Sequence, residues 1–338
     1  MKKILKIFLI LVSSLLFLVS LFIFYFSRLT YHHFFYFPKT FKDSLSLPKT
    51  DHLNFLLLGV DKRDDFLEKT NTTDTIIYGQ LDFDQARLHL FSLPRDLWDF
   101  SLNSKINQIY PTASQASDSA QKFTYIKDNF SRITGQNIDK VLILTTENLK
   151  NLADILGGVD LYLEQGFVDD QYPNENYIKN PSPQIPVYKT VKFDSGWNHL
   201  DSTNISEFVR SRKSSNLAAN GGTDLGRIDR QQQLINALID RLKQQIHSNP
   251  EIFPNLYNFW QSLEHNFTDV ELFAYALDHF STLSQLKIIR HTIPTGENPK
   301  QDLIYHPPYS INRQWVFITK DRDFTTLHDF IDSSLKNE

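Results

Sequence analysis

Cysteine is absent from all 338 residues, which excludes disulfide staples, thiolate metal sites and a cysteine nucleophile. Zinc-ribbon and papain-like chemistry go with it. An excess of positive charge is lacking too: 35 Lys and Arg stand against 39 Asp and Glu, a formal charge of −4. Phosphate neutralisation dominates nucleic-acid binding, so this balance argues against a nucleic-acid partner, although it leaves room for a local basic pocket. Internal repeats and low-complexity tracts are also missing. The chain is long enough for one large core or two smaller ones.

One long apolar run is present. Residues 4–26 are interrupted only by Lys6 and the serines 13, 14 and 20, and as a helix they are long enough to cross a hydrocarbon core of ~30 Å. A cleaved secretory signal would carry an apolar part of about 7–15 residues ending in small side chains. Here the run ends in Tyr25, Phe26, Ser27 and Arg28, which favours a retained signal anchor. The reading is therefore a stub and transmembrane helix over 1–28 and a juxtamembrane stalk over 29–50, with His32, His33, Pro38 and Pro48 beside the bilayer. A short stub cannot fold alone. The rest of the chain is expected outside the cytoplasm, on a single-pass membrane anchor.

From residue 51 the pattern is α/β. Strands are expected at 53–60, 75–81, 86–93, 140–145, 159–163, 286–292 and near 314–319. Helices are expected over about 113–133, 146–156, 227–247 and 250–263, from the capping box at Thr268, and near 324–335. The Pro-, Asn- and Tyr-rich stretch 166–200 reads as a long excursion. This alternation predicts a central mixed sheet with helices on both faces, an αβα arrangement. Residues 51–248 are expected to form its main core, and 249–338 to add helices and strands packed onto the same domain.

Four charged clusters stand at element ends, where sites rather than cores are found. Asp61, Lys62 and Arg63 follow the first strand and Asp74 opens the second. These two carboxylates could hold a hard divalent cation or could simply be solvated. Pro94 turns the chain after the third strand and presents Arg95 and Asp96 near Lys105, as a site or as a surface ion pair. Arg210 and Arg212 would share a face if their stretch is extended, and two adjacent guanidinium groups repel unless an anion lies between them; a solvated basic turn is the alternative. Lastly, the glycine-rich run 221–226 leads through Asp224 into a helix whose first turns carry Arg227, Arg230 and Gln231. Their i, i+3, i+4 spacing puts them on one face. Cations at a helix N-terminus oppose the macrodipole at ~0.3–1 kcal/mol each, a cost that an anion bound at the same spot would offset. Arginines, carboxylates and a divalent ion together suit a pyrophosphate.

The same residues, in order, resemble the LytR-CpsA-Psr family of envelope phosphotransferases: Leu58-Gly59-Val60-Asp61-Lys62-Arg63, Thr73-Asp74-Thr75, Ser92-Leu93-Pro94-Arg95-Asp96, Lys105-Ile106-Asn107, Leu156-Gly157-Gly158-Val159, Val209-Arg210-Ser211-Arg212 and Asp224 through Gln232. The resemblance implies transfer of a glycosyl phosphate from a polyprenyl-pyrophosphate carrier to an envelope acceptor such as peptidoglycan. It implies Mg²⁺ (or Mn²⁺) at Asp61 and Asp74, and a prenyl cleft with an arginine-lined mouth. Arg63, Arg95, Lys105, Arg210, Arg212, Arg227, Arg230 and Gln231 would bind the phosphates. Asp74, Arg95, Asp96 and Asp224 would take part in catalysis, with Asp96 and Asp224 as candidate bases. Two departures stand out: Thr72 where the family usually has Arg, and Pro111-Thr112-Ala113-Ser114 where it usually has glycines. A non-catalytic binder of the carrier or glycopolymer is one alternative. A membrane-bound transcriptional attenuator is another, disfavoured because nothing before the span could read DNA.

Overall fold

The computed structural model describes residues 50–60, 63–64, 69–211, 224–249, 251–272, 274–275 and 286–336. The expected membrane span and stalk lie outside these residues. No helix among the described residues is long and apolar enough to cross a membrane. The chain divides into two units, and Thr50–Phe267 with Ser281–Glu338 form the body. Of the other, a helix start is described at Thr268, whose hydroxyl and backbone N–H exchange hydrogen bonds with Glu271 as the capping box predicts.

The body is built on a six-stranded mixed sheet. Its strands are β1 (His52–Val60), β2 (Thr73–Asp82), β3 (Arg87–Ser92) and β4 (Lys140–Thr145), with β9 (Glu264–His265) and β10 (Lys287–His291) at the edges. The order is β9-β4-β1-β2-β3-β10. Strands β1, β2 and β3 run antiparallel, whereas β4 pairs parallel to β1 and β10 parallel to β3.

Alternation along the strands gives the sheet two apolar faces. Leu56, Leu58, Ile76, Tyr78 and Phe91 point to one face, against Phe123, Ile126 and Phe130 of α1 (Ser119–Thr134) and Leu327 and Ile331 of α6 (Thr325–Lys336). Phe55, Leu57, Ile77, Leu88 and Leu90 point to the other, against Ile235 and Ile239 of α4 (Asp224–Ser248). Fully burying one such side chain is worth about 1.5–3 kcal/mol. The phenol of Tyr78 lies inside the first face, donates to Asn54 Oδ1 at 2.9 Å, and is held protonated far above its ordinary range by burial.

A second core gathers α2 (Thr146–Leu156), α3 (Ile205–Arg210) and α5 (Ile252–Ser262) around two small ladders. One pairs β5 (Val159–Leu163) with β8 (Gly196–Leu200), and the other pairs β6 (Phe167–Pro173) with β7 (Tyr188–Phe193). The stretch expected as an excursion is thus largely paired strand. The helix expected over 113–133 is two helices, Ile109–Ala113 and α1, because Asp118 caps a fresh start by accepting from Gln121 N–H at 2.7 Å. Near 314–319 only Ile318 and Thr319 form a strand.

Between α2 and β5 the chain turns through Gly157 at φ 68° and Gly158 at φ 77°. A β-carbon on Gly157 would meet only Arg241 at 3.6 Å, whereas on Gly158 it would fall 2.3 Å from the His199 ring and 3.0 Å from the Leu200 carbonyl. In chemical denaturation, Gly157→Ala is expected to cost about 1 kcal/mol for the left-handed backbone. Gly158→Ala is expected to cost about 2–3 kcal/mol, because overpacking adds to the same strain.

Candidate functional site

One end of the sheet assembles most of the predicted cluster. The β1–β2 register shifts at Gly59/Val60, where a β-carbon on Gly59 would stand 2.8 Å from the Thr75 side chain. Asp74 therefore opens β2 at the end where β1 finishes. Ser92 ends β3 opposite Ile77, and the Leu93 N–H still donates to the Ile76 carbonyl at 2.9 Å. Pro94 then ends the ladder.

The loop after Pro94 is fixed by its own backbone. Leu97 N–H closes a turn onto Pro94 at 3.0 Å, Asp96 and Trp98 exchange hydrogen bonds with Phe317, and Asn107 N–H reaches the Arg95 carbonyl at 3.3 Å. Those bonds bring Lys105 to Asp96. The Asp96 carboxylate, buried in this corner, accepts from Lys105 Nζ at 2.6 Å through Oδ1 and from Arg95 Nε at 3.3 Å through Oδ2. A terminal nitrogen of Arg95 makes a short ion pair with Asp74.

The fourth side of the corner comes from α4. Its first turns place Arg227, 2% exposed, with a terminal nitrogen 3.9 Å from Asp74 Oδ2. Gln232 donates to Ser92 Oγ at 2.7 Å and locks helix to strand. Asp74, Arg95, Asp96, Arg227, Gln231, Ser92 and Phe317 thus line one hollow of about 10 Å³, room for a single water. Phe317 was not visible in the sequence as a site residue, because it is apolar and reaches the corner only through backbone bonds to Asp96 and Trp98, more than 200 positions earlier in the chain.

The other predicted residues are placed differently. Arg230 turns from this hollow and stacks over the Phe167 ring at 4.4 Å. It donates to the Phe208 carbonyl at 3.3 Å and to Ser211 O, and Gln231 reaches the Val209 carbonyl at 3.4 Å. Together they satisfy the carbonyl end of α3, where a cation is electrostatically favoured. Burial first and Arg227 second push Arg230 down to about 10 from its ordinary value, with the buried Asp169 pulling the other way. Asp169 is a charged neighbour that sequence reasoning missed, since its partner lies some 60 positions along the chain. Arg210 is the last residue of α3, not part of an extended stretch, and its guanidinium stands 3.8 Å from Glu175 and over the Tyr172 ring. Arg63 is in a two-residue strand opposite Thr70, and Asp224 begins α4; their side chains, with Asp61 and Arg212, lie outside what is described. Among the described residues no group of three metal-ligating side chains converges.

A second hollow, of about 660 Å³, runs along α4 from Asp229 and Arg230 past Gln233, Asn236 and Asp240 to the edge of β5. Leu161, Tyr162, Leu163, Phe167 and Ala237 add apolar surface to its polar lining.

Removing the Asp96 charge leaves two largely buried cations facing each other. Asp96→Asn is expected to lower stability by about 3 kcal/mol. The midpoint of a denaturant titration checks this, and an unchanged midpoint would make the pair a surface ornament.

The geometry can be set beside known proteins. The LytR_cpsA_psr family model matches residues 36–311. The polyisoprenyl-teichoic acid–peptidoglycan teichoic acid transferase TagU of Oceanobacillus iheyensis is 25% identical over 299 residues, covering 85% of this chain and 78% of the relative. TagV of Bacillus subtilis, which carries the same activity name, is 25% identical over 202 residues, 57% of this chain and 44% of that protein. The crystal structure of B. subtilis TagV shares the fold, with a TM-score of 0.58 at 20% identity over 85% of this chain and 98% of that one. With the family model covering most of its length and a mixed sheet that carries the charged corner at one end, this chain belongs to the LytR_cpsA_psr family.

Proposed function

We propose that this chain is a membrane-anchored phosphotransferase that moves a glycosyl phosphate from a polyprenyl-pyrophosphate carrier to a cell-wall acceptor such as peptidoglycan. The teichoic acid transferase activity by which its relatives are named supports that reaction class. One structural observation carries the reading: a buried Arg227 and a loop-fixed Arg95 converge on Asp74 in a single hollow. Rigid guanidinium groups aimed at one point are suited to charge that develops on phosphate oxygens during transfer.

The reaction consists of attack by an acceptor hydroxyl on the glycan-bearing phosphorus, its proton passing to Asp224 as the remaining candidate base, with cleavage of the bond from phosphorus to the bridging oxygen and departure of polyprenyl phosphate. Arg95 and Arg227 bind the phosphate oxygens. The hollow has room for only one water, so a phosphate enters where the Arg95–Asp74 pair parts. Both oxygens of Asp96 are engaged by cations, so its role is to hold Lys105 and Arg95 in place, not to take the hydroxyl proton.

Mg²⁺ (or Mn²⁺) favours one or two carboxylates plus substrate phosphate oxygens, and Asp74 would offer it a carboxylate once the Arg95–Asp74 pair parts for the phosphate, with Asp61 as the second candidate. When bound it would supply further neutralisation of the pyrophosphate. Anchoring through residues 4–26, with the body outside the cytoplasm, completes the proposal.

The test uses the full chain in detergent micelles, a lipid-linked pyrophosphate glycan as donor and peptidoglycan as acceptor, with release of polyprenyl phosphate as the readout. Turnover in Mg²⁺ and its loss with EDTA are expected. Arg227→Ala should lower turnover by about 100-fold or more, and Asp74→Ala should abolish the metal-dependent part. Tight donor binding without release would overturn the transferase reading in favour of a carrier-binding protein.

A further inference from the structure

The outer face of the β5–β8 ladder carries aromatic surface that the fold does not use. Along β5 the buried Val159, Leu161 and Leu163 pack inward, and Asp160 and Tyr162 face out. In register across the ladder, Trp197 opposes Tyr162 and His199 opposes Asp160. The two aromatic rings meet edge to face, centroids 5.5 Å apart at 72°, and the His199 ring bonds Asp160 at 2.8 Å. Trp197 remains 75% exposed and Tyr162 56%. A cross-strand aromatic pair contributes about 0.2–1 kcal/mol, a small return for so much apolar surface left in water.

The platform is held rigid. Asn198 donates to the Asp194 carbonyl at 2.8 Å and to the Gly196 carbonyl at 3.0 Å, fixing the turn that precedes the tryptophan. Ordering these rings on binding would therefore cost little.

Next to it lies a hollow of about 510 Å³, lined by Trp197, Asp160, Ala237, Asp240, Arg241 and Gln244. That volume falls within the range of about 300–1,000 Å³ typical of ligand sites. It shares Asp160, Ala237 and Asp240 with the larger hollow, which begins at Arg230 on the first turns of α4. The two hollows therefore adjoin along α4, and together they form a trough from Gly226 and Arg230 to the exposed tryptophan.

We infer that this trough binds the acceptor glycan strand, with Trp197 and Tyr162 stacking on its sugar rings and Asp160, Asp240, Arg241 and Gln244 taking up its hydroxyl and amide groups. The inference rests on the transferase reading and adds the acceptor's place to it. A pyranose ring presents an apolar C–H face with positive hydrogens, which the negative face of an aromatic ring attracts. Its equatorial groups need both donors and acceptors, and the hollow beside Trp197 supplies both. Charge decides between glycan and the other candidates. Across the two hollows the carboxylates of Asp160, Glu164, Asp229 and Asp240 stand against the guanidinium groups of Arg230, Arg241 and Arg290, so no net positive surface is offered to an anionic bilayer or to a phosphate-bearing polymer.

The test is calorimetric titration of the full chain in detergent micelles with a soluble, peptide-free glycan tetrasaccharide, repeated for Trp197→Ala, Tyr162→Ala and Trp197→Phe. Expected are saturable binding by the wild type, at least tenfold weaker binding by both alanine variants with melting temperatures lowered only by the small loss of the aromatic pair, and recovery of most affinity in Trp197→Phe. Equal affinity in wild type and Trp197→Ala overturns the inference. So does Trp197-dependent binding to anionic vesicles without glycan binding. If the glycan binds through Trp197 but the chain never releases polyprenyl phosphate, the glycan site stands and the transferase reading falls.

Discussion

Burial of two guanidinium groups three positions apart on α4 is the constraint around which the rest of the site is organised. Arg227 and Arg230 are both almost entirely removed from water, and burial together with the neighbouring Arg227 charge disfavours the charged form of Arg230. Desolvation of an ion costs several kcal/mol even after relaxation, so such a pair persists only where fixed dipoles and counter-charges surround it. Two different solutions are found. Arg230 is met by the carbonyl end of α3, by the Phe167 ring and by Asp169. Arg227 is met by Asp74, a carboxylate that is itself shared with Arg95. The first arrangement is enclosed between α3 and β6; the second lines the hollow shared by Asp74, Arg95 and Asp96.

That division explains what was legible in the sequence and what was not. The central strands were readable because Leu53–Val60 and Thr75–Leu81 are apolar runs between polar turns, and both faces of the resulting sheet are covered. The stretch 166–200 was opaque because the β6–β7 ladder is broken by an irregularity between Asp169 and Tyr172 that interrupts strict alternation. Helix α1 was placed too early because Asp118, the side chain that starts it, sits in a polar run with no apolar period to mark it.

In the site, Asp74, Arg95, Asp96 and Lys105 were visible because each stands at or just beyond a strand end and is charged. The separation of Arg227 from Arg230 was not. Helical spacing puts residues i and i+3 on one broad face, but the two side chains extend far enough to diverge, one towards β2 and one towards the end of α3. Which way a long side chain turns is decided by carbonyls and rings contributed from elsewhere in the chain.

The edge strand β10 pairs in parallel with β3, bringing His291 to within hydrogen-bond distance of His89, 202 positions earlier. During synthesis at about 5–20 residues per second, β3 therefore waits roughly 10–40 s with one edge open before its neighbour exists. An apolar strand edge left unpaired for that time is a template for association with other chains. Pairing of β10 covers the apolar β3 and leaves as the final edge a strand that carries Lys287 and Arg290, charges that discourage pairing with another chain.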